Sequence, residues 1–211
     1  MQGTISHILS DPRLALGSEP SGLVVSRIQL YLDLLVKWNG KINLTAEKDP
    51  EDILKRHVFD SLQYCRALKY DFRVMDIGSG AGFPGIPLKI IFPEMPLVLV
   101  ESQRKRCSFL ETAIRELELD QAEVINARAE DLPAQQEGQF DAVIFRAVSG
   151  VEPCLTLAER FLAAKGRVVL KKPPDETLPE TTLLLKNEIA ITSFHGLASS
   201  LLIYELANRQ Q

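Results

Sequence analysis

The stretch VMDIGSGAGFPGIPL (74–88) sets an acid, Asp76, at the end of an apolar run and follows it with glycines at 78, 80, 82 and 85. Glycines in such a loop permit positive φ and let the backbone come close to a ligand. The dinucleotide fingerprint GxGxxG does not fit: its sixth place counted from Gly78 is Phe83, and counting from Gly80 starts the loop too far from the strand. Pro84 and Pro87 remove amide donors from the next helix's first turn. That suits a ligand without phosphate better than a pyrophosphate, which needs those donors. Glu101 ends the next apolar run, where a carboxylate can accept both hydroxyls of a ribose. Ala129 and Glu130, within ARAEDL (127–132), would flank an adenine with an apolar face, a backbone amide and an acceptor. Taken singly these are a tight turn, a solvated acid and a loop. In this order and spacing they point to adenosine without phosphate, and so to S-adenosylmethionine, with Asp76 facing its ammonium directly or through water.

The methyl acceptor is narrowed by elimination. An Asn- or Asp-Pro-Pro-aromatic motif, common in enzymes that methylate exocyclic amines, is replaced after the fourth strand by FRAV (145–148). Methylation of a pyrimidine carbon needs a cysteine nucleophile. Cys154 follows Pro153, but Ser149 and Glu152 read as a capping box that puts both in the first turn of a helix, where a small packed residue is the simpler reading. Acceptors with a ready lone pair remain, guanine N7 among them, and these need alignment rather than a general base. Arg146 interrupts an apolar run at the carboxyl end of the predicted fourth strand. Its guanidinium could pair with the cofactor carboxylate, a phosphate or a guanine edge, or form a surface ion pair.

The elements that must position these residues follow from periodicity. Val24, Ile28, Tyr31, Leu35 and Trp38 make one helical stripe, and a second helix is expected over about 50–68, capped by Asp49. From Tyr70 onward, strands at FRVMDIG, PLVLVE, AEVINA, FDAVIFRAV and GRVVLKK alternate with helices at PGIPLKIIF and QRKRCSFLETAIRELEL. ITSFHGL and SSLLIYELA are expected to close the sheet as an antiparallel pair. This implies an α/β fold with a mostly parallel, Rossmann-like sheet (71–211) and an N-terminal helical extension (1–70) packed on it.

A chain of 211 residues with 45 % hydrophobic content can bury one sizeable core. No apolar run is long enough to span a membrane, and the N-terminus does not read as a secretory leader. Cys65, Cys107 and Cys154 lack any paired or metal-binding spacing, so no metal and a reduced cytoplasmic setting are expected. The net charge of −4 argues against a tight non-specific nucleic-acid binder, although QRKR (103–106), KR (55–56) and KK (171–172) are local basic clusters.

KWNGKINLT (37–45), RHVFDS (56–61), DIGSGAGFPGIPL (76–88), ES..KR..FL (101–110), ARAED (127–131) and FDAVIFRAV (140–148) together resemble the bacterial RsmG (GidB) family, in order across most of the chain. The resemblance implies a class I methyltransferase fold and S-adenosylmethionine-dependent N7 methylation of one guanine in small-subunit (16S) ribosomal RNA. A cytoplasmic monomer is expected, with 16S RNA or the small subunit as its partner. By that likeness Gly78, Phe83, Ala129, Glu130 and Arg146 fall on cofactor-contact positions, beside Asp76, Gly80 and Glu101 from the loop reading. Asn39, Arg56 and His57 fall on the substrate side, with Arg146, His57 and Asn39 the catalytic candidates; for Arg56, His57 and Asp60 a helix-surface network is the competing reading. Trp38 and Leu44 are expected in the core. Lys55, Arg56, Lys105, Arg106 and Lys172 are the candidates for steering RNA phosphates. The chain departs from the family pattern at LKKPP (170–174), where LKG is usual, and at Ser199 and Ser200, where a basic residue is frequent. A small-molecule methyltransferase and a non-catalytic nucleotide-binding module are the competing functions.

Overall fold

The structure is a computed structural model that describes residues 1–17, 19–146, 150–172, 178–179 and 181–207. Seven strands form one sheet in the order β3-β2-β1-β4-β5-β7-β6. They are β1 (Val74–Ile77), β2 (Leu97–Glu101), β3 (Ala122–Asn126), β4 (Phe140–Phe145), β5 (Leu162–Lys171), β6 (Leu183–Thr192) and β7 (Ala198–Leu206). The first five run parallel and β7 is antiparallel to both of its neighbours. The order reverses between β1 and β4, the place on such a sheet where a crevice opens for a ligand.

The helices are α1 (Gln2–Leu9), α2 (Gly22–Asn39), α3 (Pro50–Ile53), α4 (Phe59–Leu62), α5 (Gly85–Ile91), α6 (Arg104–Glu116) and α7 (Val151–Glu159). The stripe on α2 packs as expected: Ile28, Tyr31 and Leu35 are fully buried, Trp38 packs on the core and Leu44 is buried beyond it. Asp49 caps α3 by accepting the N–H groups of Glu51 and Asp52. The expected single helix over 50–68 is instead a composite: a π-helical turn, Leu54–Val58, separates α3 from α4, and a 3-10 turn, Gln63–Arg66, ends it. Such a turn carries one extra residue and frequently marks a functional site.

Two other expectations are corrected, and a third falls on undescribed residues. The first strand of the closing pair is β6, Leu183–Thr192, and most of ITSFHGL forms the turn that follows it. The fourth strand ends at Phe145, before Arg146, and Ala147 and Val148 lie outside the described residues. The N-cap of helix α7 is Gly150, and Ser149 of the expected capping box also lies outside the described residues. Cys154 is nonetheless buried in α7, its Sγ donating to Gly150 O.

Candidate active site

The glycine loop hangs from two strand ends. The N–H groups of Gly78 and Ser79 both donate to Val100 O, at 2.9 and 3.1 Å, and the Gly80 N–H donates to Glu101 Oε2 at 3.0 Å. Gly78 and Gly80 have φ of +73° and +58°. A Cβ on Gly78 would meet nothing within 4 Å, and one on Gly80 only Gly78 O at 3.8 Å, so both face open space. Gly85 has the opposite reason to be glycine: a Cβ there would fall 2.8 Å from Asp76 Oδ2 and 2.6 Å from Leu99. Its N–H donates to that Oδ2 at 2.9 Å.

The amides at the start of α5 are already occupied. Gly82 and Phe83 donate to Ser79 O, Ile86 to Gly82 O and Gly85 to Asp76, while Pro84 and Pro87 have no N–H. An incoming phosphate would find no free donors here, as the prolines suggested.

Asp76 is completely buried, and its Oδ1 has no hydrogen-bond partner in the protein. Burial pushes its carboxyl up to about 7, against the Gly85 N–H and the Arg146 charge, which pull it down. Glu101 is also buried: Oε2 accepts from Gly80, Oε1 from the Gln103 N–H at 2.8 Å, and Arg106 Nη1 lies 3.9 Å from Oε2. A carboxylate offers about four acceptor positions, so Glu101 keeps room for two hydroxyl donors. Ala129 is buried at the start of a 3-10 turn, whereas the Glu130 side chain is exposed and its carbonyl accepts from Arg160. An unpartnered buried oxygen, two glycines facing open space and an acid with spare lone pairs fit an adenosine bearing an ammonium.

On the other side of the crevice, Arg146 stands at the end of β4. Its Nη2 donates to His57 Nδ1 at 2.8 Å and its guanidinium lies 5.3 Å from the centroid of the Phe83 ring. The His57 ring stacks on Phe83 as well, with centroids 5.0 Å apart and planes at 21°. Because a guanidinium can only donate, Nδ1 is the acceptor and Nε2 carries the proton. That Nε2–H faces Glu47 Oε2 at 2.6 Å and Thr45 Oγ1 at 2.9 Å. Burial, with Arg146 beside it, holds the imidazole below its usual range and therefore neutral. Glu47 is pulled down to about 2, chiefly by the Thr45 hydroxyl.

Asn39 shapes this loop from behind. Its Oδ1 accepts the N–H groups of Leu44 and Thr45, and its Nδ2 donates to Glu47 O. Of the three catalytic candidates, Arg146 and His57 meet directly, while Asn39 is engaged with the backbone of the 44–47 turn. The helix-surface network of Arg56, His57 and Asp60 is not what forms: Arg56 reaches Glu47, and Asp60 pairs with Lys171. Lys105 is exposed in the first turn of α6, Lys55 pairs with Glu51, and Lys172 follows β5, its N–H donating to Ser200 O. The Ser199 hydroxyl donates to Lys172 O at 3.4 Å, and Pro173 and Pro174 lie outside the described residues.

Sequence reasoning missed Glu47, Thr45 and two buried tyrosines. The Tyr31 hydroxyl, on α2, donates to Ala81 O in the glycine loop at 2.6 Å. Tyr64 donates to Phe145 O at 2.6 Å and accepts the Lys171 N–H, joining the ends of β4 and β5. The one available signal was that Tyr31 lies on the core stripe of α2 with a hydroxyl needing a buried partner.

Among the described residues, no cluster of three or more His, Cys, Asp or Glu could hold a metal, and no helix is long and apolar enough to cross a membrane. The fold is that of solved methyltransferases. A SAM-dependent methyltransferase from Aquifex aeolicus superposes with a TM-score of 0.56 at 14 % identity, covering 75 % of this chain and 94 % of that one. A putative methyltransferase, yhhF, from Escherichia coli gives 0.56 at 19 %, covering 72 % and 85 %. By sequence, the chain is 45 % identical over 164 residues to the ribosomal RNA small subunit methyltransferase G of Desulfitobacterium hafniense, covering 73 % of this chain and 68 % of that protein. It is 38 % identical over 189 residues to the protein of the same name from Mesoplasma florum, covering 88 % and 80 %. Residues 25–200 match the profile of the GidB family, described as rRNA small subunit methyltransferase G, and the chain belongs to that family.

Proposed function

We propose that the protein transfers the methyl group of S-adenosylmethionine to N7 of one guanine in 16S ribosomal RNA, free or within the small subunit, working as a monomer in the cytoplasm. The cofactor assignment rests on the unpartnered Asp76 Oδ1 beside Gly78 and Gly80. On this reading Asp76 holds the ammonium, Glu101 the ribose hydroxyls, and Ala129 with the backbone around Glu130 the adenine. Bound there, the cofactor supplies an electrophilic methyl carbon: the purine lone pair forms the N–C bond as the C–S bond breaks, leaving a neutral thioether and a cationic purine.

The observation that favours a ready lone pair as acceptor is the state of His57. Both of its ring nitrogens are engaged, Nδ1 by Arg146 and Nε2–H by Glu47 and Thr45, so it has no free lone pair with which to take a proton. His57 therefore cannot act as the base for an acceptor that must first be deprotonated, whereas N7 needs none. His57 is then a strut that aims Arg146 at the crevice. On this reading Lys105 and Arg106 at the start of α6, Lys55 and Arg56 in the π turn and Lys172 after β5 would hold the phosphates of a looped-out segment.

The test is to incubate the protein with methyl-labelled donor and small subunits or 16S RNA lacking the modification, digest, and identify the labelled nucleoside by mass spectrometry. Label in 7-methylguanosine is expected. Label in neither RNA, with cofactor binding intact, would move a small-molecule acceptor to the front.

A further inference from the structure

Asp60 is 8 % exposed and is not part of the cofactor pocket. Its Oδ2 accepts from Lys171 Nζ at 2.6 Å, and its Oδ1 has no partner in the protein. A buried carboxylate oxygen without a donor is costly, because it gives up hydration and receives nothing in return. Its place in the fold is specific. Asp60 follows His57 by three residues, and His57 holds Arg146; four residues beyond Asp60, Tyr64 binds both Phe145 O and the Lys171 N–H. The pair therefore sits where β4 and β5 end, on the Arg146 side of the crevice. The Lys171 side chain is 27 % exposed, so its ammonium is reachable and keeps two N–H donors beyond the one given to Asp60.

We propose that Asp60 and Lys171 read the base edge of the target guanine: Lys171 donates to O6 and the Asp60 carboxylate, whose side chain keeps 11 % exposure, accepts the N1–H. This rests on the guanine reading above and adds to it the residues that select the base. A cation and a carboxylate with acceptor capacity to spare, side by side, match the adjacent acceptor and donor of guanine. Adenine offers the reverse, an amine toward the lysine and a lone pair toward the carboxylate, and is rejected. A site built to bond a group that the competitor lacks discriminates strongly, because its buried polar atoms are then left unpaired. In guanine O6 lies between N1 and N7, so a base held by O6 and N1–H leaves N7 free to face the methyl donor. Methylation at N7 makes the ring cationic and its N1–H more acidic, so the bond to Asp60 strengthens as the reaction proceeds.

The experiment measures kcat/KM on unmodified small subunits for the wild type, D60N, D60A and K171M, together with S-adenosylhomocysteine affinity and thermal midpoint. It adds subunits rebuilt with 1-methylguanosine at the target position, which keeps N7 and O6 but lacks the N1–H. D60N and K171M are expected to lose at least tenfold in kcat/KM while cofactor affinity stays within twofold. The wild type is expected to act at least tenfold more slowly on the analogue, and D60A to bring the two substrates within threefold of each other. Wild-type activity retained by D60N, or equal wild-type rates on the two substrates, overturns the assignment; the latter holds even if a variant fails to fold. Absence of 7-methylguanosine from the wild-type reaction would instead sink the reaction itself.

Discussion

Asp76 carries a proton balance that ligand binding must change. Its carboxyl is pushed by burial to about 7, above the ordinary value of 3.8. The folded, ligand-free protein therefore binds a proton more tightly than the unfolded chain. Asp76 favours folding as pH falls from about 7 toward 4, and that contribution is lost as pH rises through the same window. An ammonium at Oδ1 favours the carboxylate, so binding below pH 7 must expel the proton. S-adenosylhomocysteine should bind about tenfold more weakly at pH 6 than at pH 8, and calorimetry in two buffers of different ionisation enthalpy should show proton release at pH 6 only. D76N should lose that pH dependence; a pH-independent wild-type affinity would contradict the placement of the ammonium. Asp76, Glu101 and Arg146 were legible as candidates because each stands at or just past a strand end, and strand ends can be read from apolar runs. Glu47 was not, because what it does depends on Arg146, 89 residues further along than the His57 between them.

Among the elements, the glycine loop is braced from outside the sheet. The bond from Tyr31 to Ala81 O is fully buried and ties α2 to the loop. Tyr31→Phe removes only the hydroxyl and leaves Ala81 O without that donor. It should cost about 1–3 kcal/mol of stability and weaken S-adenosylhomocysteine binding several-fold, read by denaturant titration and calorimetry; unchanged affinity at reduced stability would show that the loop does not need the brace. Strands β1, β2 and β4 could be placed from sequence because they are buried almost throughout and read as continuous apolar runs. Strand β6 could not, because it lies at the sheet edge and most of Leu183–Thr192 is exposed, so its pattern does not announce a strand. Phe194, inside the expected ITSFHGL strand, lies in the turn instead, and its ring packs against Phe59 on α4. The π turn was equally hidden: Asp49, Pro50 and the apolar spacing announce a helix, but nothing in them announces one extra residue.

For the molecule as a whole, the two faces of the sheet are covered unequally by the N-terminal region. One hydrophobic cluster joins Ile5, Ile28, Leu35, Val58 and Phe59 to Leu99, Ile144, Val169 and Ile203 of the sheet. The other face carries Met75, Val143 and Leu202 under Val151 and Leu155 of α7. The first of these clusters runs across the division at residue 70 that periodicity suggested. A fragment of residues 71–211 would expose the first face and lose Tyr31, His57, Asp60 and Tyr64 from the site. It is expected to lack a cooperative thermal transition by circular dichroism and to bind no cofactor; a stable, cofactor-binding fragment would show that the helical region is an independent unit.

The most direct measurement compares labelled methyl transfer to unmodified small subunits by the wild type and by Arg146→Ala, with S-adenosylhomocysteine affinity determined for both. The account predicts 7-methylguanosine from the wild type and a loss of at least about a hundredfold in rate for the variant, the scale of losing one positioned cationic donor. Transfer by Arg146→Ala at the wild-type rate, or label in a nucleoside other than 7-methylguanosine, would contradict it.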